Sequence, residues 1–185
     1  MNTKLQFALS IKNLMATKSL DKITVSSICE GCGLTRQTFY RNFKDKYDLV
    51  NWYFRMLCDK SFLLMGVSLT LKEALLEKFT FIENEKIFFS QAFRSNDYNN
   101  IQNYDYEMIY QFYENAIIKQ TNKSLESDIK FLLQMYCKGS IDMTAKWVTG
   151  YLELPKEKMV ELLIESLPEA LKPYLLELNK VKSSV

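Results

Sequence analysis

Chain breakers are scarce in this sequence. Its 185 residues hold five Gly and three Pro, and residues 1–30, 34–65 and 67–138 contain neither. Tight turns draw on both residue types, Gly for positive φ and Pro for its fixed φ. A sandwich or barrel of many short strands therefore lacks its turn material, whereas long helices need none. About half the residues are apolar, enough for a packed core. An all-α fold is expected.

Nothing points to export or to a membrane. Residues 1–20 alternate polar and apolar side chains, so no secretory leader is expected. No stretch reaches the roughly 20 apolar residues of a spanning helix. Cys29, Cys32, Cys58 and Cys137 lack the spacing of a disulfide framework and suit a reduced cytoplasm. Charge is uneven: residues 1–50 carry eight Lys/Arg against four acids, +4, which leaves −2 for the remainder of a chain of net charge +2. A basic head on a mildly acidic body is expected.

The helices follow from periodicity and caps. Gln6, Ser10, Asn13 and Thr17 form one polar stripe on a first helix whose other faces are apolar. Residues 19–22 read as a polar connector. Thr24 is a good N-cap for a short helix ending at Gly31 or Gly33, Thr35 caps a second over 36–42, and Asp45 caps a long helix to about residue 65 with Leu49, Tyr53, Met56 and Leu57 as its apolar track. Further helices are expected near 70–84, 86–95, 100–120, 126–150, 156–166 and 168–178, with Pro155 and Pro168 in first turns.

The informative stretch is ITVSSICEGCGLTRQTFYRNFKDKYDL, residues 23–49. It reads as a short helix, a glycine turn and a second short helix, with Ile28, Leu34 and Phe39 directed inward. Fixing those three leaves Arg36, Gln37, Thr38, Tyr40 and Arg41 on the outer side of the second helix. Arg can bond guanine bidentately, Gln can bond adenine, and a Thr methyl can pack on a thymine methyl. Tyr40, Lys44, Lys46, Thr24, Thr35 and the backbone N–H groups of Val25 and Ser26 are placed for phosphates.

This stretch resembles the DNA-binding signature of the TetR/AcrR regulators. Gly33-Leu34-Thr35, Thr38-Phe39-Tyr40, Phe43 and Lys46 carry the likeness in register. The resemblance implies a three-helix helix-turn-helix head over residues 1–47, with 35–42 as recognition helix and Lys46 touching the DNA backbone. It also implies a helical-bundle body over 48–185 that senses and dimerises. Gln37 stands where Gly or Pro is often found, so a base contact particular to this chain is expected there. The region from Lys138 through Trp147, and the TFYRNFKDKYDLVNW stretch, are similar to a subgroup that includes activators of dihydroxyacetone-kinase operons.

Other features have milder readings. Cys29 and Cys32 are expected as small core residues; without any histidine a zinc site has no completion, and no metal or cofactor is expected. The aromatic density at Tyr106, Tyr110 and Tyr113, with Trp147, nominates a ligand pocket, though ordinary core placement weighs more. The 126–150 helix has two apolar faces. By the resemblance, Leu132, Met135, Tyr136, Gly139 and Met143, with Met159 and Leu163, form a dimer interface.

Two function classes compete with a regulator. An enzyme would have to work without histidine, and no phosphate-binding or dinucleotide glycine motif is present. A helical adaptor that has lost DNA binding would have no reason to keep Arg36, Gln37, Thr38, Tyr40 and Lys46 together. The expected protein is a homodimer on a near-palindromic DNA duplex, controlled by a small-molecule effector or a partner protein.

Overall fold

The computed structural model describes residues 2–62, 64–65 and 68–177. Helix α1 (Thr3–Met15) starts at Asn2, whose side chain accepts from the Lys4 N–H. The connector at 19–22 is a 3-10 turn, Leu20–Lys22, that buries Leu20. Helices α2 (Val25–Cys32) and α3 (Arg36–Asn42) follow, each capped by the threonine before it. Helix α4 (Lys46–Phe62) leads into α5 (Leu71–Asn84), α6 (Lys86–Phe93), α7 (Ile101–Thr121), α8 (Ser127–Thr149), α9 (Lys156–Glu165) and the single turn α10 (Lys172–Leu175). Among the described residues there is no strand, only an isolated bridge between Met65 and Leu69.

The long helices match the sequence expectations within a few residues. α4 stops three residues short of 65, and residue 63 lies outside the described residues. Of the helix expected at 168–178 the described residues form the single turn Lys172–Leu175, preceded by turn bonds from the Leu171 and Lys172 N–H groups to the Pro168 carbonyl; Pro173, not Pro168, occupies its first turn. Pro155 is the N-cap of α9. Residue 178 lies outside the described residues.

Helix α1 packs on α2, α4 and α6, and α4 on α1, α5 and α7, so α4 joins the head to the body. Its fully buried track is Leu49, Val50, Tyr53, Phe54 and Cys58, with Met56 and Leu57 only half-buried. One apolar cluster runs continuously from Phe7 and Phe39 in the head to Phe79, Phe89 and Leu175 in the body. At its centre the Lys78 ammonium reaches both Asp105 oxygens at 2.7 Å, a pair buried between α5 and α7.

Polar contacts also hold the head. Lys12 Nζ donates to Glu85 at 2.6 Å and to the Tyr53 hydroxyl at 3.2 Å, and Tyr53 donates to Glu85 at 3.1 Å. Ser95 Oγ donates to Asp21 at 2.6 Å. Both links cross from the first helices to the α5–α7 region, so the head is fixed to the body at points beyond α4.

Candidate nucleic-acid interface

The turn between α2 and α3 is built by Gly33, whose φ of 68° is left-handed and closes α2 with N–H bonds to the Cys29 and Glu30 carbonyls. Gly31 has a different task. A Cβ there would collide with Ser10 Oγ, so α1 and α2 touch at this point. Ser10 is buried and donates to the Ile28 carbonyl at 2.7 Å. The polar stripe of α1 is therefore partly an interior contact. Cys29 is buried in the same seam, and the Cys32 thiol donates to the Ile28 carbonyl at 3.3 Å.

Thr24 and Thr35 set the phase of the two short helices. Thr24 Oγ1 accepts from the Ser27 N–H at 3.1 Å, and Ser27 Oγ accepts in return from the Thr24 N–H at 3.2 Å. Thr35 Oγ1 accepts from the Thr38 N–H at 3.1 Å and lies 2.9 Å from the Thr38 hydroxyl. Thr38 thereby turns its hydroxyl to the cap and keeps its methyl for other contacts. Val25 and Ser26, half-buried, hold first-turn N–H groups that no intrahelical carbonyl can reach.

With Phe39 fully buried against Phe7, ring centroids 5.2 Å apart, α3 presents its opposite side. Arg36, Gln37, Arg41 and Lys44 are exposed, and Tyr40 is 52% exposed. The side chains of Arg36, Gln37, Arg41 and Lys44 make no hydrogen bond or ion pair among the described residues. One surface thus gathers three cations, an amide, a phenol and the capped start of α2.

Lys46 departs from the sequence expectation. Its ammonium donates to the carbonyls of Leu20, Asp21 and Ile23, each at 2.8 Å. All three N–H groups are used within the chain, so Lys46 has none left for a phosphate and instead ties the 3-10 turn to α4. Burial pulls its pKa down, against the raising pull of Asp21, Asp97 and Asp45. Beside it the Tyr47 hydroxyl donates to Asp21 at 3.2 Å; burial first, then Asp21, push its pKa up to about 12. Asp45 caps α4 by accepting from the Asp48 N–H at 2.8 Å, and Asp48 accepts from the Lys44 N–H at 2.9 Å.

Of the aromatic residues nominated as a pocket, the structure brings together Tyr106 and Tyr110, whose rings stack with centroids 6.1 Å apart. Tyr113 is sealed in the core, and Tyr110, nearly buried, donates to Glu114 at 3.1 Å. Tyr106 lines a groove beside α4, while Trp147 donates to the Leu154 carbonyl at 2.8 Å and lines another groove with Pro155.

The residues expected at a dimer interface divide in two. Tyr136, Met159 and Leu163 face their own chain's interior, because α9 packs on α5 and the Tyr136 hydroxyl donates to the Leu163 carbonyl at 3.0 Å. Leu132 is half-buried, while Met135, Gly139 and Met143 are exposed. Sequence reasoning missed Phe131, 61% exposed, which continues their line at i, i+4, i+8 and i+12, and the exposed Leu162 on α9.

Residues 10–52 match the family model described as bacterial regulatory proteins, tetR family, and residues 70–168 match one described as transcriptional regulator C-terminal region. Among proteins of curated function, none matches the sequence. Among solved structures, the chain is similar to a dihydroxyacetone kinase operon activator, DhaS, at 20% identity and a TM-score of 0.66, covering 94% of this chain and 98% of that one. It is also similar to AlkX, a TetR family repressor from Dietzia sp. strain DQ12-45-1b implicated in biodegradation of n-alkanes, at 14% identity and a TM-score of 0.52, covering 94% and 97%.

Proposed function

Because the chain belongs to the TetR family of bacterial regulatory proteins, we propose that α3 is its recognition helix and that residues 1–47 read DNA while 48–185 dimerise and sense. The family makes it a DNA-binding transcriptional regulator. Arg36 and Gln37 are the base readers, the Thr38 methyl an apolar base contact, and Tyr40, Arg41, Lys44, Thr24, Thr35 and the first-turn N–H groups of Val25 and Ser26 the backbone anchors. The observation that carries this reading is that Arg36, Gln37, Arg41 and Lys44 are exposed together without intramolecular partners. An adaptor gains nothing from that surface. Lys46 supports the interface from behind.

The dimer is held by the Phe131, Met135, Gly139 and Met143 line of α8 with Leu162 of α9. It sets two recognition helices roughly 34–36 Å apart, or a multiple, to meet a near-palindromic operator. An effector or partner protein changes operator affinity only by its differential affinity for the two arrangements.

The test compares two variants on one operator duplex across ionic strengths. Arg36→Ala is expected to weaken specific binding by about 1–3 kcal/mol and to relax sequence preference. Lys44→Ala is expected to weaken all sequences alike and to reduce the salt slope by about 1. Unchanged affinity in both would refute this assignment of the surface.

A further inference from the structure

We propose that polar links at the two ends of α6 form a clamp that sets the orientation of the head, and with it the half-site spacing the dimer accepts. Lys12, Glu85, Asp21 and Ser95 are then positioning residues, a role that rests on the DNA-binding and dimer reading above. They hold the readers of α3 in place without touching DNA.

Glu85 stands immediately before α6, and Ser95 lies two residues after its last, Phe93. At the first end Lys12 Nζ donates to Glu85 at 2.6 Å and to the Tyr53 hydroxyl at 3.2 Å, and that hydroxyl donates to Glu85 at 3.1 Å. The triangle is closed, and aromatic rings support it. Lys12 Nζ lies 5.2 Å from the centre of the Tyr53 ring, which meets the Phe88 ring of α6 edge-on at 5.2 Å. At the second end the buried Ser95 hydroxyl donates to Asp21 at 2.6 Å. Ser95 is itself held, because its carbonyl accepts from Asn100 Nδ2 at 3.1 Å and the Phe93 carbonyl accepts from Gln102 Nε2 at 2.8 Å. Eight helical residues put the ends of α6 roughly 12 Å apart.

Both links end on groups that seat the DNA-facing helices. Lys12 belongs to α1, whose Phe7 packs on Phe39 of α3. Asp21 belongs to the 3-10 turn whose carbonyls Lys46 grips, just before Thr24, the cap of α2. With α4 alone the head would have one attachment to turn about, since apolar packing is non-directional. Hydrogen bonds demand distance and angle, so links at two separated points remove that freedom. Helix α6 also packs on α8, which carries the exposed Phe131, Met135 and Met143. The path from that helix to the recognition helix runs through the clamped α6, not through α4 alone.

The test measures spacing selectivity. A duplex is selected with the full-length wild type, and its half-sites are then moved one or two base pairs closer together or further apart. One base pair shifts a half-site by about 3.4 Å and turns it by about 35°. Wild type is expected to lose about 10-fold or more in affinity per step, because heads of fixed orientation must deform the DNA to meet it. Lys12→Glu and Ser95→Ala, each confirmed dimeric, should lose no more than about 3-fold per step. Lys12→Glu combined with Glu85→Lys should restore the wild-type ratio between spacings. That ratio separates positioning from simple destabilisation, since a smaller folded fraction weakens every spacing alike. Two variants as selective as wild type, variants that bind the selected spacing more tightly, or no recovery on reversing the pair would each overturn the clamp. A wild type that binds DNA but is indifferent to spacing would overturn it with the DNA-binding reading intact. A wild type that binds no duplex would overturn that reading, and the clamp's role with it.

Discussion

At the scale of single residues, Lys46 is the tie between the Leu20–Lys22 turn and the start of α4. In the fold it meets three carbonyls of the Leu20–Ile23 segment at 2.8 Å, positions more than twenty residues away that no local pattern reveals. Hydrogen bonds to charged groups contribute about 1.5–3 kcal/mol each when buried and less when partly solvated. Lys46→Ala is therefore expected to lower the unfolding free energy by about 2 kcal/mol in urea titration, with a salt slope closer to wild type than that of Lys44→Ala. A stable variant with a flattened slope would return Lys46 to the phosphate contacts. The exposure of Arg36, Gln37 and Tyr40 was legible because Thr35 and the inward Phe39 fix the phase of one short helix.

At the scale of elements, caps made the head readable: Thr24, Thr35 and Asp45 all accept from the N–H three residues on. What helix periodicity could not show is where helices touch. Ser10 belongs to the polar stripe of α1, yet it fills the space opposite Gly31 between α1 and α2. Gly31→Ala is expected to destabilise the protein by about 1–3 kcal/mol by overpacking. Ser10→Ala in the same chain removes the colliding oxygen and should recover a substantial part of that loss. Thermal melts of the two variants check this; a harmless Gly31→Ala would mean that the seam is loose.

At the scale of the whole molecule, the sequence discloses that α8 has two apolar faces but not how they divide. Leu133, Cys137 and Ile141 turn inward, and Tyr136 joins them, while Phe131, Met135, Gly139 and Met143 remain outside. The division is set by α7 and α6 packing on one side of α8, a choice made by neighbours rather than by α8 itself. Met135, 61% exposed, has little to do within the monomer. Met135→Glu should leave the monomer folded but shift it towards monomer in sedimentation, since a charge at a desolvated interface is costly. Its operator affinity should fall with its dimer content. A variant that stays dimeric would place the interface elsewhere.

The exposed side of α3, doubled by dimerisation, is expected to read a duplex. Selection from random duplexes with the purified full-length protein addresses it directly. The expected product is a near-palindrome whose half-sites are centred roughly 34–36 Å or a multiple apart, with positions whose preference disappears in Arg36→Ala. Enrichment of no sequence at low ionic strength, or of one that Arg36→Ala selects unchanged, would contradict it.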